Sequence, residues 1–179
     1  MSKRKLFLTG YTGCGKTSLG RKLAQRLGVR FVDTDAEIEH DEQASVSDIF
    51  RYEGEAHFRQ AERAMLERLA AEDCDMIVST GGGLPVWGDN AERLNSIGTT
   101  VYIARPAEQI ARRLTPYGRA KRPRLHGLSE TEIVEFMERD IAVREPFYAK
   151  ARFRVDGGAY SDGELLEQLT EIFLKGDEQ

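Results

Sequence analysis

The sequence predicts an α/β protein of three layers (α/β/α), with helices on both faces of a five-stranded parallel sheet. Strand-like and helix-like hydrophobic patterns alternate along the chain, which is the order that βαβ units produce. A glycine-rich turn joins the first strand to the first helix, and two further strands end in polar or glycine-rich segments. The 179 residues suffice for one such domain with a sizeable core, so we expect a single domain over residues 1–179.

The predicted strands are short apolar runs bounded by turn residues, at 5–9, 30–33, 76–80, 99–104 and 151–155. Helices are predicted where apolar residues recur every three or four positions, at 16–27, 36–41, 46–52, 55–72, 89–96, 107–114, 130–144 and 162–174. Ser129 and Ser161 directly precede the last two helices and are expected to be their N-caps.

The turn after the first strand matches the pattern G-x-x-x-x-G-K-[ST] of a P-loop over residues 10–17. Glycines let backbone N–H groups approach an anion, and the helix that follows adds its N-terminal amides. Lys16 is expected at the β- and γ-phosphates of a nucleotide, and the Thr17 hydroxyl at Mg²⁺. The full set of predicted nucleotide contacts in this turn is Gly13, Cys14, Gly15, Lys16, Thr17 and Ser18. The motif leaves the phosphate acceptor open.

Two other strand ends carry unusual residues, and ligands of such sheets bind beyond the carboxyl ends of the strands. Asp33 and Asp35 follow the second strand, where one carboxylate would hold Mg²⁺ through water and the other a substrate hydroxyl. An Asx turn or N-cap is the alternative for these acids. The run 81–83 of three glycines follows the third strand and allows close approach of a ligand, or else is a flexible connector.

Two arginines are candidate ligands for a carboxylate. Arg59 lies near the start of the long helix at 55–72, with Glu62 three residues on, and Arg144 precedes Pro146, where we expect a helix to end. A surface ion pair explains the first arginine equally well, and a helix-terminal charge the second. The planar guanidinium nevertheless suits a carboxylate, and together with the two acids it suggests a small anionic polyol as acceptor.

The segment 115–128 is rich in proline, glycine and basic residues, and we predict an irregular, mobile lid over approximately 112–128. Its basic residues are Arg112, Arg113, Arg119, Lys121, Arg122 and Arg124. A solvated loop is the alternative. Because the chain as a whole has a net charge of −4, a nucleic-acid partner is not expected.

Composition also bears on whether the chain is a membrane, secreted or metal-binding protein. The apolar runs are too short for a membrane span, and the N-terminus lacks the apolar region of a signal peptide. The two cysteines, Cys14 and Cys74, have no metal-ligand spacing. We therefore expect a cytoplasmic protein, monomeric and without a membrane partner.

These motifs, in this order and approximate spacing over nearly the whole chain, resemble the shikimate kinase family of P-loop proteins related to nucleoside monophosphate kinases. The resemblance implies transfer of the γ-phosphate of ATP to the 3-hydroxyl of shikimate, with Mg²⁺, in aromatic amino-acid biosynthesis through chorismate. A gluconate kinase or another small-metabolite P-loop kinase is the alternative. A GTPase switch would need an Asn-Lys-x-Asp motif, which the sequence does not contain.

The resemblance also implies residue roles. Asp35 would bind the shikimate hydroxyls and be the candidate base, and Thr17, with Asp33 through water, would hold Mg²⁺. Arg122 would move with the lid onto the transferring phosphate, and Arg113 would lie against adenine. The implied substrate contacts are Asp35, Arg59, Gly81, Gly82, Gly83 and Arg144. One departure from the family pattern is Arg124, which stands where an apolar residue usually follows Arg-Pro.

Overall fold

The computed structural model describes residues 3–120 and 122–176, and its strands form one parallel sheet in the order β2-β3-β1-β4-β5. The strands are β1 (Lys5–Thr9), β2 (Arg30–Asp33), β3 (Met76–Ser79), β4 (Thr99–Ala104) and β5 (Phe153–Asp156). Because β1 lies between β3 and β4, the turn after β1 leaves the sheet where the strand order reverses, which is the usual place for a ligand. The predicted parallel sheet is confirmed.

The helices alternate with these strands along the chain. They are α1 (Lys16–Leu27), α2 (Thr34–Glu42), α3 (Val46–Tyr52), α4 (Glu55–Ala71), α5 (Asn90–Ile97), α6 (Ala107–Arg113), α7 (Pro116–Ala120), α8 (Glu130–Tyr148) and α9 (Asp162–Lys175). Single 3-10 turns cover Leu84–Val86 and Pro123–Leu125. Within the described ranges 3–120 and 122–176, no helix is both long enough and apolar enough to cross a bilayer.

The core has two parts, one on each face of the sheet, because side chains alternate along a strand. In β1, Phe7 packs with Val32, Ile38, Leu66 and other buried residues of β2, β3 and α2–α5. Leu6 and Leu8 point to the opposite face, where α1, α6, α8 and α9 supply the buried partners. The side chains of Leu6, Phe7 and Leu8 are fully buried. The sheet is therefore covered on both faces, which explains why β1, β3 and β4 are buried along their whole length.

Side-chain caps fix the starts of the two C-terminal helices that flank the sheet. Ser129 accepts a hydrogen bond from the Glu132 N–H, and the Glu132 carboxylate accepts one from the Ser129 N–H. Ser161 and Glu164 form the same reciprocal capping box at α9. Both predicted N-caps are confirmed.

Three sequence expectations about local structure are wrong. Although Pro146 has no N–H to donate to the carbonyl four residues earlier, helix α8 does not end at Arg144 but continues to Tyr148, because the fully buried Tyr148 fixes the last turn against the core. The lid segment is not irregular throughout: Thr115 Oγ1 accepts from the Gly118 N–H at 3.0 Å and starts α7. Strand β5 begins two residues later than predicted, at Phe153. Lys121 lies outside the described residues, as do 1–2 and 177–179.

Candidate active site

The turn between β1 and α1 curls around the ammonium group of Lys16. Gly10, Gly13 and Gly15 have φ values of 135°, 88° and 112°, a region that side chains with a Cβ rarely adopt. Lys16 Nζ donates to the backbone oxygens of Gly10 at 2.8 Å and Tyr11 at 3.0 Å, and the side chain is buried. The turn thus places a fixed positive charge beside a ring of backbone amides at a helix N-terminus, an arrangement that suits phosphate.

Three oxygen-bearing side chains meet where α1 begins. Thr17 Oγ1 donates to Asp33 Oδ2 at 2.7 Å and lies 3.1 Å from Ser79 Oγ. Hydroxyl and carboxylate oxygens fit Mg²⁺, which commonly keeps several waters and takes its other ligands from substrate phosphates. In the part of the chain that the structure describes, no group of three or more His, Cys, Asp or Glu residues is placed to hold a metal. A magnesium ion here would therefore depend on Thr17, Asp33, water and the nucleotide.

The two acids after β2 have different surroundings. Asp33 accepts from the Ala36 N–H at 3.3 Å and so also caps α2, the alternative considered from sequence. Asp35 lies in the first turn of α2 rather than in a loop, and faces Gly81 closely enough that a Cβ there would clash with its carboxylate. Burial, with the neighbouring Asp33 charge, raises the pKa of Asp35 to about 6. Asp35 is thus a carboxylate that changes charge near neutral pH.

Arg59 is fixed by acids and aromatic rings. It donates to Glu62 at 2.7 Å and to Glu55 at 2.9 Å, and its Cζ lies 5.3 Å from the centre of the Trp87 ring. The rings of Phe50 and Phe58 approach it at 5.8 Å and 5.6 Å. Burial raises the pKa of Glu62 to about 7 in spite of the Arg59 charge. The guanidinium is therefore held in one place, beside Gly83, where a Cβ would lie 2.9 Å from Arg59 Nη1.

Arg144 approaches the same region from α8. It forms an ion pair with Asp140 at 3.1 Å. Tyr148 Oη donates to the Gly82 backbone oxygen at 2.6 Å, and this contact ties the end of α8 to the glycine run. The Gly81 N–H, in contrast, donates to Thr34 Oγ1 at 2.9 Å. Gly81 therefore joins the glycine run to the start of α2.

The lid brings two arginines to the site. Arg122 Nη1 donates to the Gly118 oxygen at 2.8 Å, and its Nη2 would lie 3.6 Å from a Cβ on Gly13. Arg122 is half-buried, and burial lowers its pKa. Arg124 Cζ lies 4.8 Å from the centre of the Phe136 ring. A phosphate held by the turn at Gly13 would thus have Arg122 directly beside it.

Two adjoining cavities contain these groups. The first, about 320 Å³, is lined by the phosphate-binding turn together with Asp33 and Thr80. The second, about 850 Å³, lies between α2, α4 and the glycine run and includes Arg59, Glu62 and Arg144. Both are lined by Thr12, Asp35, Gly82 and Arg122. The proposed phosphate site and the proposed acid site therefore share one wall, and Asp35 lies on it.

Arg113 and Cys14 are not among the described residues that line these two cavities. Arg113 Nη2 binds Asp162 at 3.1 Å, and its Nη1 would lie 3.9 Å from a Cβ on Gly15. It therefore lies on the outer side of the phosphate-binding turn, and its contact with adenine stays a prediction. The Cys14 side chain is fully buried in the core. Ser18 is exposed and lines the first cavity.

Sequence reasoning missed Thr12 and Asp140. Thr12 occupies a variable position of the P-loop pattern, and nothing in the sequence indicates that it faces both cavities. Asp140 does carry a signal, because it stands four residues before Arg144, the spacing of an ion pair along one helix face.

Comparison with known proteins supports one reading of this geometry. The family model described as "Shikimate kinase" matches residues 12–173. The chain is 42% identical to a shikimate kinase of Parabacteroides distasonis over 153 residues, which are 86% of this chain and 87% of the relative. Its structure resembles a shikimate kinase from Bacteroides thetaiotaomicron, with a TM-score of 0.84, 34% identity and coverage of 94% of this chain and 97% of that one. A shikimate kinase from Acinetobacter baumannii in complex with shikimate gives a TM-score of 0.83 at 30% identity, over 99% and 96% of the two chains.

The alternative from sequence, a gluconate kinase, is matched only at the level of the fold. A gluconokinase from Sinorhizobium meliloti covers 96% of this chain and 92% of that one, but with a TM-score of 0.58 and 17% identity, against TM-scores of 0.83 and 0.84 and identities of 30–42% above. The family model and the relatives agree over most of the chain, including both cavities. This chain belongs to the shikimate kinase family.

Proposed function

We propose that this chain transfers the γ-phosphate of ATP to the 3-hydroxyl of shikimate, the activity of its family, and that the two adjoining cavities receive the two substrates. The observation that carries the proposal is the shared wall of those cavities. Asp35 and Arg122 line both of them, between Lys16 on one side and the two arginines Arg59 and Arg144 on the other. Direct transfer requires donor and acceptor to meet at one point, which this arrangement provides.

Each group of residues in the site has its own role in this proposal. The amides of the turn, together with Lys16, bind the polyphosphate. Arg59 and Arg144 bind the shikimate carboxylate, and the glycine run allows the ring to approach the backbone. Asp35 orients the hydroxyl and accepts its proton, and Arg122 neutralises charge that develops on the transferred group. The lid excludes water, which suppresses wasteful hydrolysis of ATP.

Magnesium is part of the proposal. Thr17 and Asp33, 2.7 Å apart, are the residues that would hold it, Asp33 through water. The ion would supply positive charge that offsets the negative charge of the bound phosphates.

We further propose a cytoplasmic monomer whose acceptor is a small molecule rather than a nucleic acid or a membrane. The net charge of −4 supports the small-molecule acceptor. Both cysteines are free thiols, as is usual in a reducing compartment.

The direct test is ADP release from MgATP with shikimate, gluconate or no acceptor. We expect turnover with shikimate only, and phosphorus NMR of the product should place the phosphate on the 3-hydroxyl. Equal turnover with gluconate, or ADP release without an acceptor, would contradict the proposal.

Arg59 and Arg144 form the proposed carboxylate clamp. It is tested separately by Arg59→Ala and Arg144→Ala. Each is expected to raise the KM for shikimate at least about tenfold while the KM for ATP changes by less than about twofold, because only the acceptor loses a charged partner. Arg68→Ala is the matched control, since Arg68 lies on the same helix as Arg59 but pairs with the exposed Asp41. Loss of ATP binding in either clamp variant would mean that the arginines serve the nucleotide.

A further inference from the structure

The carboxylate of Asp140 links Arg144 to the phosphate-binding turn. One oxygen, Oδ1, lies 3.1 Å from Arg144 Nε, one helical turn further along α8. The other, Oδ2, accepts a hydrogen bond from Tyr11 Oη at 2.9 Å. The Tyr11 ring also lies 5.7 Å from Arg144 Cζ, within reach of a cation–π contact. Asp140 therefore joins two elements that are far apart in sequence.

These contacts are sheltered from solvent. The exposed fractions of the Arg144 and Asp140 side chains are 23% and 17%, and Tyr11 is buried. Ion pairs along an exposed helix contribute little, because solvent screens them and two long side chains must be ordered. Here a third residue, Tyr11, already orders the carboxylate, so the pair with Arg144 costs less side-chain entropy and is screened less.

The geometry of the guanidinium explains what this contact achieves. Arg144 borders the 850 Å³ cavity of the proposed acid site. A bidentate contact with a carboxylate depends on the orientation of the guanidinium plane, which free rotation about the long side chain would randomise. The ion pair of Asp140 at Nε and the contact of the Tyr11 ring with the guanidinium hold that plane from two sides.

Tyr11 also contributes to the nucleotide side, because its backbone oxygen accepts a hydrogen bond from Lys16 Nζ at 3.0 Å. Its side chain and its main chain thus act on opposite halves of the site. A change confined to the phenol hydroxyl separates the two effects, since it leaves the main chain in place.

We propose that Asp140 and Tyr11 are positioning residues for the acceptor: they hold Arg144 in the orientation that receives the carboxylate of the substrate. This inference rests on the proposed function. Asp140 also carries a negative charge that repels an acid ligand, so its removal has two opposing effects. The loss of the sheltered ion pair with Arg144 is the larger of the two, because the repulsion acts over a greater distance and across solvent.

The test compares Asp140→Ala with Asp140→Asn in steady-state kinetics. Asp140→Ala is expected to raise the KM for shikimate about tenfold, with kcat and the KM for ATP within about twofold of the parent. The asparagine keeps an oxygen for Arg144 Nε, so Asp140→Asn should restore the KM to within about threefold of the parent. Tyr11→Phe should raise the KM by about threefold, and adding it to Asp140→Ala should change little, because the hydroxyl acts through Asp140.

A control variant, a binding measurement and a folding check accompany the kinetics. Glu138→Ala removes an exposed carboxylate from the same helix and should leave every constant unchanged. Trp87 is the sole tryptophan and lies 5.3 Å from Arg59 Cζ, so its fluorescence reports shikimate binding directly, and thermal melting shows that each variant is folded.

A lower KM in both Asp140 variants would show that repulsion dominates and would overturn the proposal. An unchanged KM in a folded, active Asp140→Ala enzyme would do the same, and so would additive effects of Tyr11→Phe and Asp140→Ala. A parent chain that binds MgATP but never phosphorylates shikimate would instead remove the proposed function, and this inference with it.

Discussion

Asp35 and Glu62 are acids with raised pKa values on the walls of one cavity, yet their neighbours differ. Glu62 is buried and directly paired with Arg59 at 2.7 Å. Asp35 faces the shared wall of the two cavities, with the repelling charges of Asp33 and Glu39 near it and Lys16 opposing them. Glu62 therefore fixes an arginine, whereas Asp35 borders both cavities, which fits its proposed role as the base.

The pH dependence of the reaction tests that role. Because the carboxylate form of Asp35 must accept the hydroxyl proton, kcat/KM for shikimate is expected to fall below the pKa of about 6, approaching tenfold per pH unit. Glu39 raises the pKa of Asp35 through its charge, so Glu39→Gln should move the acid limb to lower pH. A pH–rate profile of both enzymes decides the matter. An acid limb that does not shift in Glu39→Gln, or the absence of an acid limb above about pH 5, would indicate that another group accepts the proton.

Individual contacts show what sequence could and could not predict at this scale. The glycine-rich turn could be predicted because G-x-x-x-x-G-K-[ST] specifies backbone geometry locally, and Gly13 and Gly15 have positive φ values that glycine adopts readily. The second function of Asp33 as the N-cap of α2 appeared among the alternatives. The contact between Tyr11 and Asp140 could not be predicted, because it joins residues 129 positions apart and depends on how α8 packs.

At the level of elements, α8 and the lid determine how the acid site is closed. Pro146 predicts a helix end, but burial of Tyr148 and its bond to Gly82 stabilise the last turn and keep Arg144 inside a continuous helix. In the lid, proline and glycine predict irregular structure, whereas the Thr115 cap produces a short helix. Local propensity is overruled in both places by a single tertiary or side-chain contact, and neither contact is visible in the periodicity of the sequence.

A further prediction concerns Arg122 in the lid segment. Arg122→Ala is expected to lower kcat by about 10³-fold or more, by analogy with arginines that stabilise transferring phosphate in other enzymes. Shikimate binding, followed by Trp87 fluorescence, should change far less. Arg112→Ala, which removes an exposed arginine of α6 at the start of the lid segment, is the matched control. A loss of kcat below about tenfold would remove Arg122 from the chemical step.

For the molecule as a whole, the order of the strands determines where the site lies. Alternating strand and helix patterns predict the parallel sheet, and a parallel sheet implies that the segments after β1, β2 and β3 meet at one edge. The grouping of Lys16, Asp33 and Gly82 follows from this rule alone. Arg59, Arg144 and Arg122 come from helices and the lid segment, whose placement depends on packing. The residues alone therefore make Arg59 and Arg144 only candidate carboxylate ligands, and the role of Arg122 comes from the family resemblance.

The same burial that prepares Asp35 for proton transfer should destabilise the folded chain. The folded pKa of about 6 exceeds the ordinary value of 3.8, so the folded state binds a proton that the unfolded chain has already released between these values. Stability is therefore lost as pH rises from about 4 to 6, and the loss stays constant at higher pH, at roughly 1–3 kcal/mol once partial solvent access is allowed for.

Asp35→Asn should abolish activity yet raise the melting temperature by several degrees at about pH 8, and by little at about pH 4. Asp41→Asn, on the exposed side of the same helix, should give no such pH-dependent gain. Calorimetry of the three ligand-free proteins at both pH values makes the comparison, and an Asp35→Asn protein that melts below the parent at pH 8 would show that this carboxylate stabilises the fold instead.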